Sequence, residues 1–380
     1  MKKLYQIDLD FSDFKKPSNS TLHWYPATFI PQIPNLLLSH LARPHQTVLD
    51  PFCGSGATIQ EATKLGLKAI GMDNNPVATM INKVVTNFYE LDKLQEFFEK
   101  DILPDIHNTK TEYVPEFPNK DLWFHRDTLK ELGKIKYIIS EIKKNKIKLF
   151  FDLAFSAILK HCSTQKDHYT YVADNMFPKQ ITDNMYVSAL SLFEKKIHTN
   201  CYILHDYYDC IKRLGFNPKD QIEESTFIQQ NIKDEWRWIE RKIDIILTSP
   251  PYAGVTDYVK GQRLTFYWHP EWNIEDYLDK EVGARSKRAR KFFFNEYLND
   301  IKDFIIKSHS VLKSHGKFVV VIGQTSSIKR KQNLINIIRD LVLEEGFKLI
   351  ADDLKRNIYF KQIGIVKGVK SESILIFEKL

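Results

Sequence analysis

The sequence predicts an α/β chain built on a mostly parallel sheet, with a mainly helical insertion near its middle. Three observations predict this. Two short apolar runs, 47–50 and 68–73, flank a stretch of helical spacing, as a strand–helix–strand unit requires. A third apolar run at 243–247 ends in a proline-stiffened turn, and further apolar runs close the chain at 318–323, 347–350 and 373–377. Residues 96–224 far exceed what one sheet connection needs, and structureless loops beyond roughly 15 residues are uncommon, so they read as an inserted lobe.

The elements follow in order. His23-Trp24-Tyr25-Pro26-Ala27-Thr28-Phe29-Ile30-Pro31 is an aromatic cluster leading into Leu36, Leu37, Leu38 and Leu41, an amphipathic helix. Thr47-Val48-Leu49-Asp50 reads as a strand that stops in the turn Pro51-Phe52-Cys53-Gly54-Ser55-Gly56. Ala57, Ile59, Ala62 and Leu65 then recur at helical spacing. Glycines in that turn let backbone approach a ligand closely, and the helix amino end offers unpaired N–H groups. A second strand ends at Asp73, followed by Asn74, Asn75 and Pro76. Asp73 lies seventeen positions after Gly56, about where a strand–helix–strand unit places a carboxylate for ribose hydroxyls.

In the insertion, Leu129, Leu132, Ile135, Ile138, Ile139 and Ile142 are helically spaced, as are Phe151, Leu153, Ala154, Ile158 and Leu159. Lys134, Lys136, Lys143, Lys144, Lys146 and Lys148 lie in or beside the first set; they read either as a polyanion-binding face or as a solvated one. Phe227-Ile228-Gln229-Gln230-Asn231 resumes the sheet. The run 243–247 then delivers Thr248-Ser249-Pro250-Pro251-Tyr252 to a strand's carboxyl end, where open α/β sheets do their chemistry. Two prolines remove two backbone donors and hold Ser249 extended, leaving carbonyls free in a rigid turn. Beyond it come Thr256-Asp257-Tyr258, the stretch 262–268 containing Arg263, and the basic run Arg285, Lys287, Arg288, Arg290 and Lys291, five cations in seven positions. Such density beside a turn suits phosphate contacts. Residues 311–317 read as a helix end stopping at Gly316, 318–323 as an apolar strand, 333–345 as an amphipathic helix, and the last two runs as an antiparallel edge.

The two turns resemble the signature pair of the DNA amino-methyltransferases, which methylate the exocyclic nitrogen of cytosine or adenine. A nicotinamide dinucleotide site is the rival reading of the first turn. Such sites carry three glycines around a pyrophosphate, whereas this turn has Gly54 and Gly56 with Ile59 at the third position, and Asp50 would repel a pyrophosphate. Asp50 suits a ligand with an ammonium and a sulfonium, S-adenosyl-L-methionine. The resemblance implies a Rossmann-like methyltransferase sheet, mostly parallel with one antiparallel strand near its edge. It implies a catalytic domain of residues 1–95 and 225–380, with 96–224 as target-recognition lobe. It implies a cofactor site of Tyr25, Pro26, Ala27, Thr28, Asp50, Pro51, Phe52, Cys53, Gly54, Ser55, Gly56, Asp73, Asn74 and Asn231, with Asp234 as the alternative to Asn231. The implied catalytic residues are Ser249, Pro250, Pro251 and Tyr252, Tyr252 stacking on a flipped base. Arg263, Arg285, Lys287, Arg288, Arg290 and Lys291, with Lys329-Arg330-Lys331, would contact double-stranded DNA. Within the family, serine at the head of the catalytic turn goes mainly with cytosine N4. The cofactor turn precedes the catalytic one here, the reverse of many cytosine-N4 enzymes, so adenine N6 stands as the alternative. A DNA-binding protein that merely retains the pocket is the nonenzymatic reading, and a companion restriction endonuclease is the expected partner.

Composition agrees. A hydrophobic share of 43% and a charged share of 27% exclude a disordered chain, and 380 residues exceed one ordinary domain of about 100–200. The net charge of +7 points to a polyanionic partner. Cys53, Cys162, Cys201 and Cys210 have neither metal-site nor disulfide spacing and read as reduced thiols, with Cys53 a packing residue rather than a nucleophile. No apolar stretch suits export or a membrane span, so the expectation is a metal-free cytoplasmic protein that associates with the nucleoid.

Overall fold

The computed structural model describes residues 9–11, 21–164, 181–237, 243–325, 333–357 and 369–380. Seven strands form one sheet: β1 (Thr47–Asp50), β2 (Lys68–Asp73), β3 (Thr226–Gln229), β4 (Ile243–Thr248), β5 (Leu312–Thr325), β6 (Phe347–Asn357) and β7 (Val369–Lys379), in the order β3-β2-β1-β4-β5-β7-β6. β1 to β5 pair in parallel, and β7 inserts antiparallel to both β5 and β6. The expected Rossmann-like sheet with one reversed strand near its edge is the observed one.

Strand periodicity explains how the sheet is held. Side chains alternate between faces, so Val48, Ile245, Leu247, Val319, Val321, Ile374 and Ile376 enter one core. Leu49, Ile246, Val320, Ile322, Leu375 and Phe377 enter the other. All are at most 2% exposed, and burying each aliphatic side chain contributes about 1.5–3 kcal/mol. The helices Ala57–Lys64 and Pro76–Val85 cover the first face; Phe293–Val311 and Leu334–Glu344 cover the second. Chain order reverses between β1 and β4, which lie side by side with Val48 opposite Ile245. The strand ends carrying Asp50 and Thr248 therefore share the crevice where such sheets bind ligands.

Two expectations change. Residues 311–317 are not a helix ending at Gly316: the helix stops at Val311 and β5 starts at Leu312. Ile243 pairs with Leu312 and Ile245 with Lys317, so two steps on β4 face five on β5 and the extra residues bulge out. His315 takes φ +61° in the bulge, and a Cβ on Gly316 would lie 2.8 Å from the Lys313 carbonyl, so glycine there serves a strand bulge. The insertion, second, is helical as expected but shares the first core. Its helices Asn145–Cys162 and Ala189–Arg213 pack on Pro76–Val85 and Ala57–Lys64 respectively. Buried His23 ties this layer to the segment before β1: its Nε2 lies 2.8 Å from Ser156 Oγ, which lies 2.7 Å from Thr265 Oγ1. Burial holds that imidazole at about 4, hence neutral. Among the described residues, no helix is long and apolar enough to cross a membrane.

Candidate active site

The cofactor turn is set by backbone demands. Gly54 and Gly56 adopt φ +48° and +79°, where a side chain is strained. A Cβ on Gly56 would lie 2.2 Å from Asn82 Oδ1, and one on Gly54 3.1 Å from the Tyr25 ring. Fully buried Asn82 reaches from the helix Pro76–Val85 to donate from Nδ2 to the Gly54 carbonyl at 2.8 Å. Asn75 caps that helix, its Oδ1 accepting the Val77 N–H at 2.9 Å with Pro76 in the first turn.

Two carboxylates organise the crevice floor. Asp73 Oδ2 accepts the Gly54 N–H at 2.9 Å and Oδ1 the Asn75 N–H at 2.9 Å. Asp50 accepts from Phe52 N–H at 3.2 Å and from Thr248 Oγ1 at 2.6 Å, tying the cofactor strand to the catalytic strand. Asp50 is thus a turn cap as well as a pocket wall. Burial pushes both carboxyls up to about 6, against the pull of these donors.

The crevice at these strand ends is an open cleft lined by both turns. It brings together Tyr25, Ala27, Thr28, Asp50, Pro51, Phe52, Cys53, Gly54, Ser55, Asp73, Asn74 and Asn231 with Ser249 and Pro251, so the two turns face one cavity. Pro26, Gly56, Pro250 and Tyr252 do not line it. Gly56 acts through the turn's shape, and the Tyr252 hydroxyl points to Glu372 Oε1 at 2.8 Å. Burial pushes the Cys53 thiol well above its usual range, in keeping with a packing role.

Sequence reasoning missed Thr58, Tyr258, Tyr277 and Glu281 as lining residues. Glu281 accepts the Tyr258 N–H through Oε1, and burial, against the pull of backbone N–H groups, pushes it up to about 8. The signal was in the sequence: an acid before Gly283, whose φ is +62° and whose carbonyl accepts the Gly254 N–H at 2.9 Å, just beyond the catalytic turn.

The basic residues divide. Arg288, Arg290 and Lys291 are exposed; Arg285 and Arg263 are half-buried, Arg263 Nε donating to the Lys260 carbonyl at 3.2 Å. Lys287 donates to the Asp279 and Glu281 carbonyls at 2.6 and 2.7 Å, holding the helix Ile274–Lys280 against this loop. Lys136 turns inward to Asp152 at 2.8 Å. Lys329-Arg330-Lys331 lies outside the described residues.

Against known proteins, residues 3–83 match the family described as DNA methylase. The type II methyltransferase M.MvaI of Kocuria varians is 30% identical over 303 residues, covering 74% of this chain and 64% of its own. M.MjaII of Methanocaldococcus jannaschii is 23% identical over 431 residues, covering 90% and 79%, and M.BsoBI of Geobacillus stearothermophilus is 24% identical over 293, covering 68% and 53%. The chain thus spans about half to four-fifths of these relatives' lengths.

In sequence the chain is similar to the DNA amino-methyltransferases.

The cofactor of this family is S-adenosyl-L-methionine, and the crevice fits it. Asp73, half-buried at the end of β2, keeps acceptor capacity beyond its bonds to backbone N–H groups, which suits ribose hydroxyls. Buried Asn231, just beyond β3, lines the same crevice; its Oδ1 accepts the Lys233 N–H at 2.9 Å. Two carboxylates and a tyrosine-rich wall favour a cationic ligand over a pyrophosphate.

Proposed function

We propose that this chain transfers a methyl group from S-adenosyl-L-methionine to the exocyclic amino nitrogen of a flipped base in DNA, cytosine N4 in preference to adenine N6. The observation that carries the reading is the shared cavity: Asp50 and Asp73 line the same crevice as Ser249 and Pro251.

An exocyclic amine is a poor nucleophile because its lone pair is delocalised into the ring. Bound in the crevice, S-adenosyl-L-methionine supplies an electrophilic methyl group on a sulfonium. Ser249 Oγ and the Pro250 carbonyl accept the two N–H hydrogens and turn the nitrogen lone pair toward that methyl. The proline pair fixes those acceptors before the base arrives, so little reorganisation remains for the reaction. The nitrogen gains the methyl and then sheds one proton, so no covalent attachment to the protein is needed. Ser249 at the head of the turn supports cytosine; the order of the two turns keeps adenine N6 as the second reading.

Exposed Arg288, Arg290 and Lys291 supply phosphate contacts beside the catalytic turn, and the insertion 96–224 contributes target recognition to the catalytic parts 1–95 and 225–380. A companion restriction endonuclease fits a type II modification enzyme. The test is incubation with DNA and methyl-labelled cofactor followed by digestion to nucleosides. The reading requires N4-methylcytosine. N6-methyladenine overturns the base, label in RNA alone overturns the substrate, and DNA binding without transfer overturns the enzyme.

A further inference from the structure

The catalytic turn is wired to the far edge of the sheet. Ser249 Oγ lies 3.3 Å from the Tyr252 hydroxyl, Tyr252 OH lies 2.8 Å from Glu372 Oε1 on β7, and Arg356 on β6 donates to Glu372 Oε2 at 2.8 Å. Glu372 and Arg356 are 15% and 13% exposed, so the pair is largely shielded.

The donor inventory fixes the direction of this chain. A carboxylate in an ion pair only accepts, and a phenol has one proton. Tyr252 spends that proton on Glu372, and burial together with the Glu372 charge pushes the phenol well above its usual range, so it stays a donor there. Its oxygen can then only accept from Ser249. The serine proton is then committed inward, which leaves Oγ, on the crevice wall, only acceptor capacity.

We propose that Glu372, braced by Arg356 and acting through Tyr252, is a positioning residue that makes Ser249 an obligate acceptor toward the target base. This rests on the function proposed above, and it adds a selection rule. A base presenting an amino group is gripped, whereas one presenting a carbonyl oxygen meets lone pair against lone pair. The reversed strand β7 thereby has a role in the chemistry, because it carries Glu372 into reach of the turn.

Three variants and one diffraction experiment test it. Tyr252→Phe keeps the ring and should lower kcat about 10- to 100-fold, with KM for DNA and cofactor affinity within about threefold, as expected for loss of an interaction that matters in the transition state. Glu372→Gln should produce a similar loss, because its amide can donate to the phenol and reverse the chain. Adding Glu372→Gln to Tyr252→Phe should then cost nothing further. Equal losses in both backgrounds, or a Tyr252→Phe enzyme within twofold of wild type, overturn the proposal. Neutron diffraction of the deuterated wild-type protein reads the polarity without any turnover. The expected deuterons lie on Ser249 toward Tyr252 and on Tyr252 toward Glu372; a Tyr252 deuteron directed at Ser249 overturns the inference. Should the wild type transfer no methyl to any DNA, the proposed function falls, while the neutron map still decides the hydrogen-bond direction.

Discussion

Replacing Asp73 by asparagine, and following cofactor affinity against pH, probes the crevice floor directly. Burial raises Asp73 and Asp50 to about 6, so both are ionised at pH 8 and largely protonated at pH 5. A carboxylate one unit above ambient pH is about 10% ionised. If binding uses the ionised form of Asp73 alone, affinity for S-adenosyl-L-methionine falls about tenfold between pH 8 and pH 5, and about a hundredfold if both must be ionised. Asp73→Asn removes one of these dependences and a charge-assisted hydrogen bond worth about 1.5–3 kcal/mol, hence an affinity loss of about 10- to 150-fold at pH 8. Asp73 also helps raise Asp50, so the dependence left in the variant should move to lower pH. For the empty protein the sign is opposite. Folded-state values above the unfolded ones mean that folding takes up protons, so this contribution improves as pH falls from about 6 toward 4 and is absent above about 6. The gain in melting temperature from saturating cofactor should therefore be larger at pH 8 than at pH 5. Isothermal titration calorimetry at both values decides. A wild-type affinity independent of pH, or an Asp73→Asn protein that binds as the wild type does, refutes the reasoning.

Gly56→Ala should lower the melting temperature by about 2–6 °C and weaken cofactor binding, since the new methyl at φ +79° meets Asn82 Oδ1 at 2.2 Å; differential scanning fluorimetry with and without cofactor measures both. Thr248→Val keeps the shape of a fully buried side chain but removes the donor 2.6 Å from Asp50. Unfolding in urea should show a loss of about 1–3 kcal/mol, and the pH dependence of cofactor binding should shift upward. Arg288→Ala with Arg290→Ala should weaken DNA binding and reduce the slope of log affinity against log salt by about one per residue, cofactor affinity staying unchanged; an unaltered slope removes this loop from the DNA footprint.

What the sequence disclosed, and what it hid, follows from how far apart the interacting residues lie. Each turn is local: the run into Asp50, the two glycines, the acid at 73 and the proline pair at 250–251 act within a few residues, and all of them meet in the crevice or shape it. The reversed edge was legible because two apolar runs close the chain with a stretch between them, and β7 indeed lies between β5 and β6. The β5 bulge was hidden because Gly316 after a helical pattern looks like a helix stop, and only the pairing with β4 shows that the strand has already begun. Helical spacing in the insertion announced amphipathic faces but not what they cover, so the sharing of one core by Ala189–Arg213 and Ala57–Lys64 was not visible. Tyr258, Tyr277 and Glu281 reach the site from the stretch between the catalytic turn and the basic run, to which the sequence reading gave no part in the cofactor site. Asn82 did leave a trace, as the one polar residue within Met80-Ile81-Asn82 on an apolar helix, where a buried amide must find partners.

A crystal structure with S-adenosylhomocysteine bound, the donor stripped of its methyl, puts the shared crevice to its most direct test. The ribose hydroxyls are expected on Asp73, the adenine edge at Asn231, and the sulfur turned toward Ser249 with room between them for a methyl group and an amine. A nucleoside lying away from Asp73, or a sulfur with the wall of the crevice between it and Ser249, would contradict the assignment of this chain's chemistry.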